Sequence, residues 1–349
     1  MNQIIIELNL LTIIELLSIA TSFILALLFI TIRSKNKKAN IFLGFFLWSL
    51  SIEVFDAFIP LDEAFLFNFP KSSLFTIPFL FLYINQTFNR KFFWFYFLLF
   101  IPGFFFLSTT VNITIIKYLE YIFNIFILIY ALIIVKNYQN KLTDFYSDLE
   151  NKTLLWIQTI LYIYLFFHLF WIIEDMVGSQ TQELIEYFVN ISNVLTFFMI
   201  YWIGYNGFSQ SEIFKYSLFL NEEKELIVIN DLSETAGIFN EIILKIEIEK
   251  LFSNTNINLR ILANQLGLKE KELSVLINKH TNNNFYYFIN HFRIVEFKKL
   301  LKSPKAKQLS ILGIATEAGF ASKSTFYAAF KKIENMTPKQ YQNQLNKSE

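Results

Sequence analysis

The sequence predicts an all-α protein in two parts, a polytopic bundle of membrane helices followed by a smaller helical domain. Three observations lead to this prediction. Residues 1–205 contain long apolar runs with few charges, residues 206–349 carry most of the lysines and arginines, and helical periodicity recurs near the C-terminus. Because the two parts differ so much in composition, we expect them to occupy different solvents.

The composition excludes several classes of chemistry. Of the 349 residues 54% are hydrophobic and 17% are charged, against about 25% charged in a typical soluble protein. The chain has no cysteine and three histidines, His168, His280 and His291. Disulfides, cysteine-ligated zinc and thiol nucleophiles are therefore excluded. We predict no bound metal and no cofactor.

The apolar runs predict about seven membrane helices, because a helix needs about 20 apolar residues to cross the hydrocarbon layer. Only Arg90 and Lys91 separate the third run from the fourth, which indicates a tight hairpin. The third run contains Pro78, which neighbouring helices can accommodate. Counts of six and eight stay open. The seven runs are residues 8–32, 41–61, 72–89, 92–111, 118–135, 154–173 and 186–205.

The short loops predict the orientation, because Lys and Arg are enriched on the cytoplasmic side. Loops after the first, third and fifth runs hold nine basic residues, whereas the alternate loops hold only Lys71 and Lys117. The N-terminus is therefore predicted outside the cell. With seven crossings, residues from 206 onward are cytoplasmic. The expected location is the cytoplasmic (inner) membrane as a multi-pass protein, with the lipid bilayer as one partner.

Several polar side chains fall inside these predicted membrane helices, where they are costly and call for a reason. Either they form hydrogen bonds between helices, or they line a cup that opens to the outside and binds a cationic or hydrogen-bonding ligand. The signal would then be an unidentified small molecule or envelope component. The candidate ligand-binding residues are Glu53, Asp56, Glu120, His168 and Asn190, with Asn124 and Asn193 nearby.

Beyond residue 205 the charge changes along the chain. Residues 206–255 hold four lysines and nine acids, whereas residues 256–349 hold 15 basic residues and six acids. We predict a cytoplasmic acidic connector over residues 206–240 and a basic domain over 241–349. A basic terminal domain suggests a polyanionic partner.

A pattern of helix, glycine turn and helix occurs twice in the basic domain. Leu259, Leu262, Ala263 and Leu266 lie on one helix face before Gly267, where a left-handed cap favours glycine. The same arrangement recurs at residues 311–319, before Phe326 and Phe330. The pattern predicts two helix-turn-helix units, joined by a helix over 285–302 about 27 Å long.

Several short motifs in this region match one known family. They are 288–294 (FINHFRI), 314–315 (IA), 318–320 (AGF), 322–326 (SKSTF), 330–332 (FKK) and 336–341 (MTPKQY). With them the chain resembles the AraC-type (AraC/XylS) DNA-binding domain from about residue 241 to 342. Asn335 replaces the family's usual Gly, and Gln342 replaces a common Arg. Membrane-bound members of that family exist, so the whole chain resembles an AraC-type regulator with a multi-pass membrane domain.

The resemblance implies double-stranded DNA as a partner, with recognition helices at 269–280 and 322–333. It leaves monomer and homodimer open. Arg293 is expected either to brace the fold or to contact DNA. The predicted base-contacting residues are Lys271, Ser274, Val275, Asn278, Lys323, Ser324, Tyr327 and Ala328. The predicted phosphate contacts are Lys298, Lys299, Lys302, Lys305, Lys307, Lys331, Lys332 and Lys339.

We therefore predict a membrane-bound, sequence-specific transcription regulator without enzymatic activity, whose membrane half senses a signal. The alternative is a transporter or membrane receptor with a DNA-binding regulatory tail. Only nine glycines occur in the chain, although transporters commonly contain Gly- or Pro-interrupted helices. A membrane enzyme is disfavoured because no H-E-x-x-H, G-x-S-x-G or P-loop motif is present.

Overall fold

The computed structural model describes residues 8–34, 36–58, 73–88, 93–107, 113–150, 153–177, 182–209 and 232–348. These ranges are helical and contain no β-strand, in agreement with the predicted all-α class. The chain divides into two compact units. The first comprises Met1–Asn137 and Leu154–Asn221, and the second comprises Tyr138–Thr153 and Glu222–Glu349. The second unit thus includes a segment between two predicted membrane helices, in addition to the C-terminal residues.

The first unit is a bundle of helices in which α1 packs on α2 and α7, and α2 packs on α3. Asn9 caps α1, because its side-chain oxygen accepts a hydrogen bond from the Thr12 N–H at 2.9 Å. The helices are α1 (Leu10–Thr31), α2 (Lys37–Phe58), α3 (Ser73–Phe88), α4 (Ile101–Leu107), α5 (Ile113–Leu142), α6 (Leu155–Val177) and α7 (Gln182–Ser209).

Four of the described helices are long and apolar enough to cross a membrane: α1, α2, α5 and α6. Large apolar side chains stand on their outer faces, among them Phe126, which is 71% exposed, and Phe166, which is 62% exposed. Exposed apolar surface of this extent is unusual for a soluble protein. Seven crossings therefore remain a prediction, since the structure gives four such helices within the described ranges.

The third and fourth predicted segments are helical over their described residues. Helix α3 covers Ser73–Phe88, and the fourth segment is a 3₁₀ helix at Trp94–Phe100 that continues into α4. Pro102 lies in the first turn of α4, where its missing N–H breaks no helical hydrogen bond. Residues 72, 89–92 and 108–112, at the predicted ends of both segments, lie outside the described residues.

The second unit contains two helix pairs around one long helix. The first pair has α8 packed against it, and two short 3₁₀ helices lie at Leu251–Ser253 and Pro304–Lys307. The α-helices are α8 (Leu232–Ile248), α9 (Leu259–Leu266), α10 (Glu270–Thr281), α11 (Phe285–Leu301), α12 (Ile311–Glu317), α13 (Lys323–Glu334) and α14 (Pro338–Ser348). The predicted connecting helix over 285–302 is confirmed as α11.

The turns of both pairs follow the predicted chemistry. Gly267 ends α9 with φ +72°, and Gly319 follows α12 with φ +100°; both values favour glycine. Asn335 ends α13 with φ +55°, which confirms that it accepts the left-handed conformation expected of the family's Gly. Asn258 and Ser322 cap α9 and α13 by accepting bonds from the N–H groups of Ile261 and Thr325.

Candidate functional site

The predicted recognition helices are α10 and α13, and each is fixed by its own hydrophobic core. The first core contains Leu262, Leu273 and Leu276, and it joins α9 and α10 to one part of α11. The second core contains Ile314 and Phe326, and it joins α12 and α13 to the other part of α11. Because α11 contributes to both cores, it holds the two helix-turn-helix units together as one body.

Arg293 on α11 braces the fold, which decides between the two expectations. Its side chain is fully buried. Its Nε donates to Phe252 O at 2.9 Å and its Nη2 donates to Asn254 O at 2.9 Å. Burial lowers the pKa of this guanidinium to about 10, and the Asp148 carboxylate partly opposes that decrease. Arg293 therefore stays charged at neutral pH and ties α11 to the 251–254 turn.

The predicted base-contacting residues lie on α10 and α13, but their exposure differs. Asn278, Lys323, Ser324 and Ala328 are exposed, whereas Tyr327 is half-buried because its ring packs against the second core. Lys323 Nζ lies 5.8 Å from the centre of that ring. The remaining predicted base contacts are also half-buried: Lys271, Ser274 and Val275.

Among the predicted phosphate contacts, Lys298 has a structural role. Its Nζ donates to Glu334 Oε2 at 3.0 Å and lies 5.1 Å from the centre of the Tyr341 ring. This pairing ties α11 to α13 and α14 and reduces the charge available to a phosphate. The side chains of Lys305 and Lys307 lie outside the described residues. The exposed lysines of the set are Lys299, Lys302, Lys331, Lys332 and Lys339.

Sequence reasoning missed one element, the residues 143–150 between α5 and α6, which we call the strap. The strap belongs to the second compact unit. Asp148 Oδ1 accepts hydrogen bonds from Ser322 Oγ at 2.8 Å and from Thr325 Oγ1 at 2.6 Å. Glu150 Oε2 accepts one from Ser324 Oγ at 3.0 Å. The contacts join residues more than 170 positions apart, so no local pattern could reveal them.

Comparison with known families agrees with this geometry. Residues 262–344 match a family described as a helix-turn-helix domain, in agreement with the AraC-type resemblance of the sequence, and this match covers α10 to α13 and part of α9 and α14. Residues 262–344 thus form a helix-turn-helix domain. This domain supports DNA as a partner and transcription regulation as the class of function. No curated protein and no solved structure matched the chain.

A second candidate site is a cavity of about 510 Å³ within the first unit. Four polar residues singled out in the sequence line it, Glu53, Glu120, His168 and Asn193, together with Lys117 and mainly apolar side chains. These residues come from α2, α5, α6 and α7. The structure thus brings together side chains that are far apart in sequence.

Hydrogen bonds link the polar groups around this cavity. Asn124 Nδ2 lies 3.1 Å from Ser73 Oγ and 3.2 Å from His168 Nε2, and Ser73 donates to Glu120. His168 Nδ1 is 2.8 Å from the carbonyl oxygen of Tyr164, so this nitrogen must carry the proton. Nε2 can then accept from Asn124. The imidazole thus links α6 to α5.

Two buried polar atoms at this site have no hydrogen-bond partner within the described ranges: Asn124 Oδ1 and Tyr164 Oη. Both residues are at least nine-tenths buried, and Tyr164 lines the cavity. Such atoms are costly unless another group pairs with them. Asn190 is half-buried on α7 and is absent from the described cavity lining, and the Asp56 side chain lies outside the described residues.

Proposed function

We propose that this protein is a membrane-bound, sequence-specific transcription regulator whose cytoplasmic helix-turn-helix domain binds double-stranded DNA. The observation that carries the proposal is the AraC-type domain, with two glycine-turn helix pairs held on the shared helix α11. Helices α10 and α13 would enter successive major grooves, as recognition helices of this type do. The exposed lysines beside them would contact phosphates.

The test uses the full chain in lipid nanodiscs. Binding would be measured to a library of random duplexes, with repeated selection of bound DNA. We expect recovery of a defined sequence motif, because a regulator must separate its own site from competing sites. Recovery of random sequence only, with a strong salt dependence, would reduce the function to nonspecific DNA binding.

We further propose that the N-terminus is outside and that seven helices place residues 206–349 in the cytoplasm. The support is the nine-to-two excess of basic residues in alternate loops. A cytoplasm-active reporter fused after residue 349 should be active, and an epitope at residue 2 should be accessible from outside intact cells. A C-terminal fusion active only outside would contradict the regulator, since chromosomal DNA would then be out of reach.

The cavity is proposed as the sensory site of the membrane half, for a cationic or hydrogen-bonding small molecule. Glu53 and Glu120 supply carboxylates, and the unpaired Asn124 Oδ1 and Tyr164 Oη supply groups that a ligand could satisfy. A largely apolar cavity with a few polar groups is the usual form of a small-molecule site. This arrangement favours a sensor with ligand-dependent output over a simple anchor.

A transporter or receptor with a regulatory tail is the alternative. A transporter would move the cavity's ligand across the bilayer regardless of DNA binding. Uptake of labelled cationic amines and amino acids into proteoliposomes tests this directly. Under our proposal uptake stays at the level of empty liposomes, and a reporter gene responds to the ligand.

A further inference from the structure

The strap is built into the DNA-binding unit, although the chain places it between α5 and α6. The Phe145 carbonyl accepts a hydrogen bond from the Leu259 N–H at 2.9 Å, and the Thr143 carbonyl accepts one from the Tyr286 N–H at 2.9 Å. Leu259 and Tyr286 lie in the first turns of α9 and α11, whose N–H groups have no partner within their own helix. The strap backbone therefore satisfies donors that the domain leaves open.

The strap side chains contact both halves of the domain. Phe145 packs on the first core and Leu149 packs on the second. Between them Ser147 is fully buried, donates to Ile257 O at 2.8 Å, and accepts at its carbonyl from Asn290 Nδ2 at 2.9 Å. With one apolar side chain in each core, the strap is held at a defined position on the domain. We call its buried part, residues 145–149, the seat.

Two acidic residues of the strap reach α13: Asp148, which lies within this seat between Ser147 and Leu149, and Glu150, which follows it. The hydroxyls that Asp148 and Glu150 accept from belong to the N-cap residue Ser322 and to Ser324 and Thr325 in the first turn. The N-terminus of a helix carries partial positive charge, and its N–H and hydroxyl groups are common phosphate ligands in protein–DNA complexes. A carboxylate is an anionic acceptor of the same kind as a phosphate oxygen.

We propose that the strap is an autoinhibitory element, in which Asp148 and Glu150 occupy the hydroxyls at the start of α13, the end of the helix proposed to meet DNA. Binding of DNA and docking of the acidic end of the strap then exclude each other. This inference rests on the proposed binding of DNA through α13. It adds a mechanism of regulation that the helix-turn-helix domain alone does not contain.

The chain itself connects the strap to the membrane half. The strap follows the last residue of α5, Leu142, and the chain continues into α6 at Leu155. The same two helices carry Glu120 and His168 of the cavity. A change in the separation or rotation of α5 and α6 upon ligand binding would pull on both ends of the strap. Glu150 would leave α13 first, because it is exposed and lies beyond the buried seat, whereas Asp148 lies within it.

The first experiment measures affinity of the full chain in nanodiscs for a mixed-sequence duplex spanning two major-groove turns, at fixed low salt. Glu150→Gln should bind about threefold more tightly and Asp148→Asn with Glu150→Gln about tenfold, because the hydrogen bonds to a charged acceptor that compete with DNA are weakened. The matched control is Asp144→Asn, which removes the same charge from the strap four residues before Asp148. It should leave affinity unchanged.

A second readout is needed because Asp148 also faces the buried Arg293, so its variant could weaken the fold. The chain has no cysteine, so Glu150→Cys with Ser324→Cys creates a unique pair for a short bifunctional thiol reagent. We expect efficient crosslinking without DNA and severalfold less crosslinking in the presence of the duplex. This assay reports docking of the strap directly.

The outcomes separate the two proposals. One outcome is that wild type binds the duplex, that Glu150→Gln binds it no more tightly, and that DNA leaves the crosslink unchanged. In that case the strap proposal is wrong, whereas the DNA-binding function stands. If wild type and variants all fail to bind the duplex at low salt while the crosslink forms, the proposed function is wrong, and the competition fails with it. An equal gain in affinity for Asp144→Asn would reduce the effect to net charge and overturn the inference.

Discussion

The glycine turns of the two helix pairs give a sharp test of the packing, because equivalent residues sit in different surroundings. Gly267 and Gly319 both have positive φ. A Cβ built on Gly267 meets nothing within 4 Å, whereas one built on Gly319 lies 2.7 Å from Phe252 O and 2.7 Å from Ser253 Cα. Both contacts at Gly319 are backbone atoms, so no side-chain rotation relieves them.

The expected costs follow from these two geometries. At Gly267 the left-handed conformation destabilises an alanine by about 1–2 kcal/mol. The lower flexibility of the unfolded chain offsets about 0.4–1 kcal/mol of this loss. The net loss should be about 1 kcal/mol or less. At Gly319 the same strain is joined by overpacking worth about 1–3 kcal/mol. Phe252 O also accepts from Arg293, so moving it disturbs a second interaction, and the total should reach about 3 kcal/mol.

The assay is hydrogen exchange of the full chain in nanodiscs, followed by mass spectrometry of peptides from α9–α10 and α12–α13. Gly267→Ala should lower protection slightly in the first pair, and Gly319→Ala should lower it strongly in the second pair and the 251–254 turn. Gly313→Ala inside α12 is the control, because its Cβ would make only ordinary contacts at 3.4–3.5 Å. It should be neutral or stabilising. Equal losses of protection in Gly267→Ala and Gly319→Ala would refute the close approach of Gly319 to the backbone of Phe252 and Ser253.

The remaining predictions concern binding, sensing and pH. Lys331→Ala should weaken DNA binding on all sequences and lower the slope of log affinity against log salt by about 1. Lys323→Ala should instead change the preference at defined base positions by about 1–3 kcal/mol. If both variants behave alike in selection experiments, the assignment of α13 as a recognition helix is wrong. His168→Phe should shift or lock a transcriptional reporter at normal protein level, and an unchanged response would remove the cavity from sensing. Arg293→Met should cost about 3–5 kcal/mol if it leaves the Phe252 and Asn254 carbonyls unpaired, read by hydrogen exchange. Burial raises the pKa of Tyr286 from 10.0 to about 12. The stability that its neutral form contributes is therefore fully present below pH 10 and is lost as the pH rises to 12. Pulse proteolysis at alkaline pH should detect this loss of stability in wild type and not in Tyr286→Phe.

Some structural features could be predicted because they depend on nearby residues. The apolar spacing at 259–266 and the following Gly267 specify a helix and its end within one or two turns. Asn335 could be placed in the left-handed region because its side chain tolerates positive φ. The fourth membrane segment is helical over its described residues, and whether it crosses the membrane stays a prediction.

The candidate sites depended more on tertiary contacts. Lys298 looks like its neighbours Lys299 and Lys302 in the sequence, yet only Lys298 is described in an ion pair with Glu334. The polar membrane residues could be assigned to helices, but not to a shared cavity, because that requires the rotation of each helix about its axis. Glu53, Glu120 and His168 line it, whereas Asn190 does not within the described lining.

The sequence by itself determined the all-α class, the apolar and basic halves, the two helix-turn-helix units and the helix that joins them. Periodicity, capping residues and glycine turns act over a few residues, so they can be read without a structure. Only the tertiary structure showed that Arg293 braces α11 and that the strap joins the DNA-binding unit. Asp148 and Thr325 are 177 positions apart and meet through the packing of both hydrophobic cores. Such a contact depends on how the whole domain packs, because neither residue's local sequence contains the other.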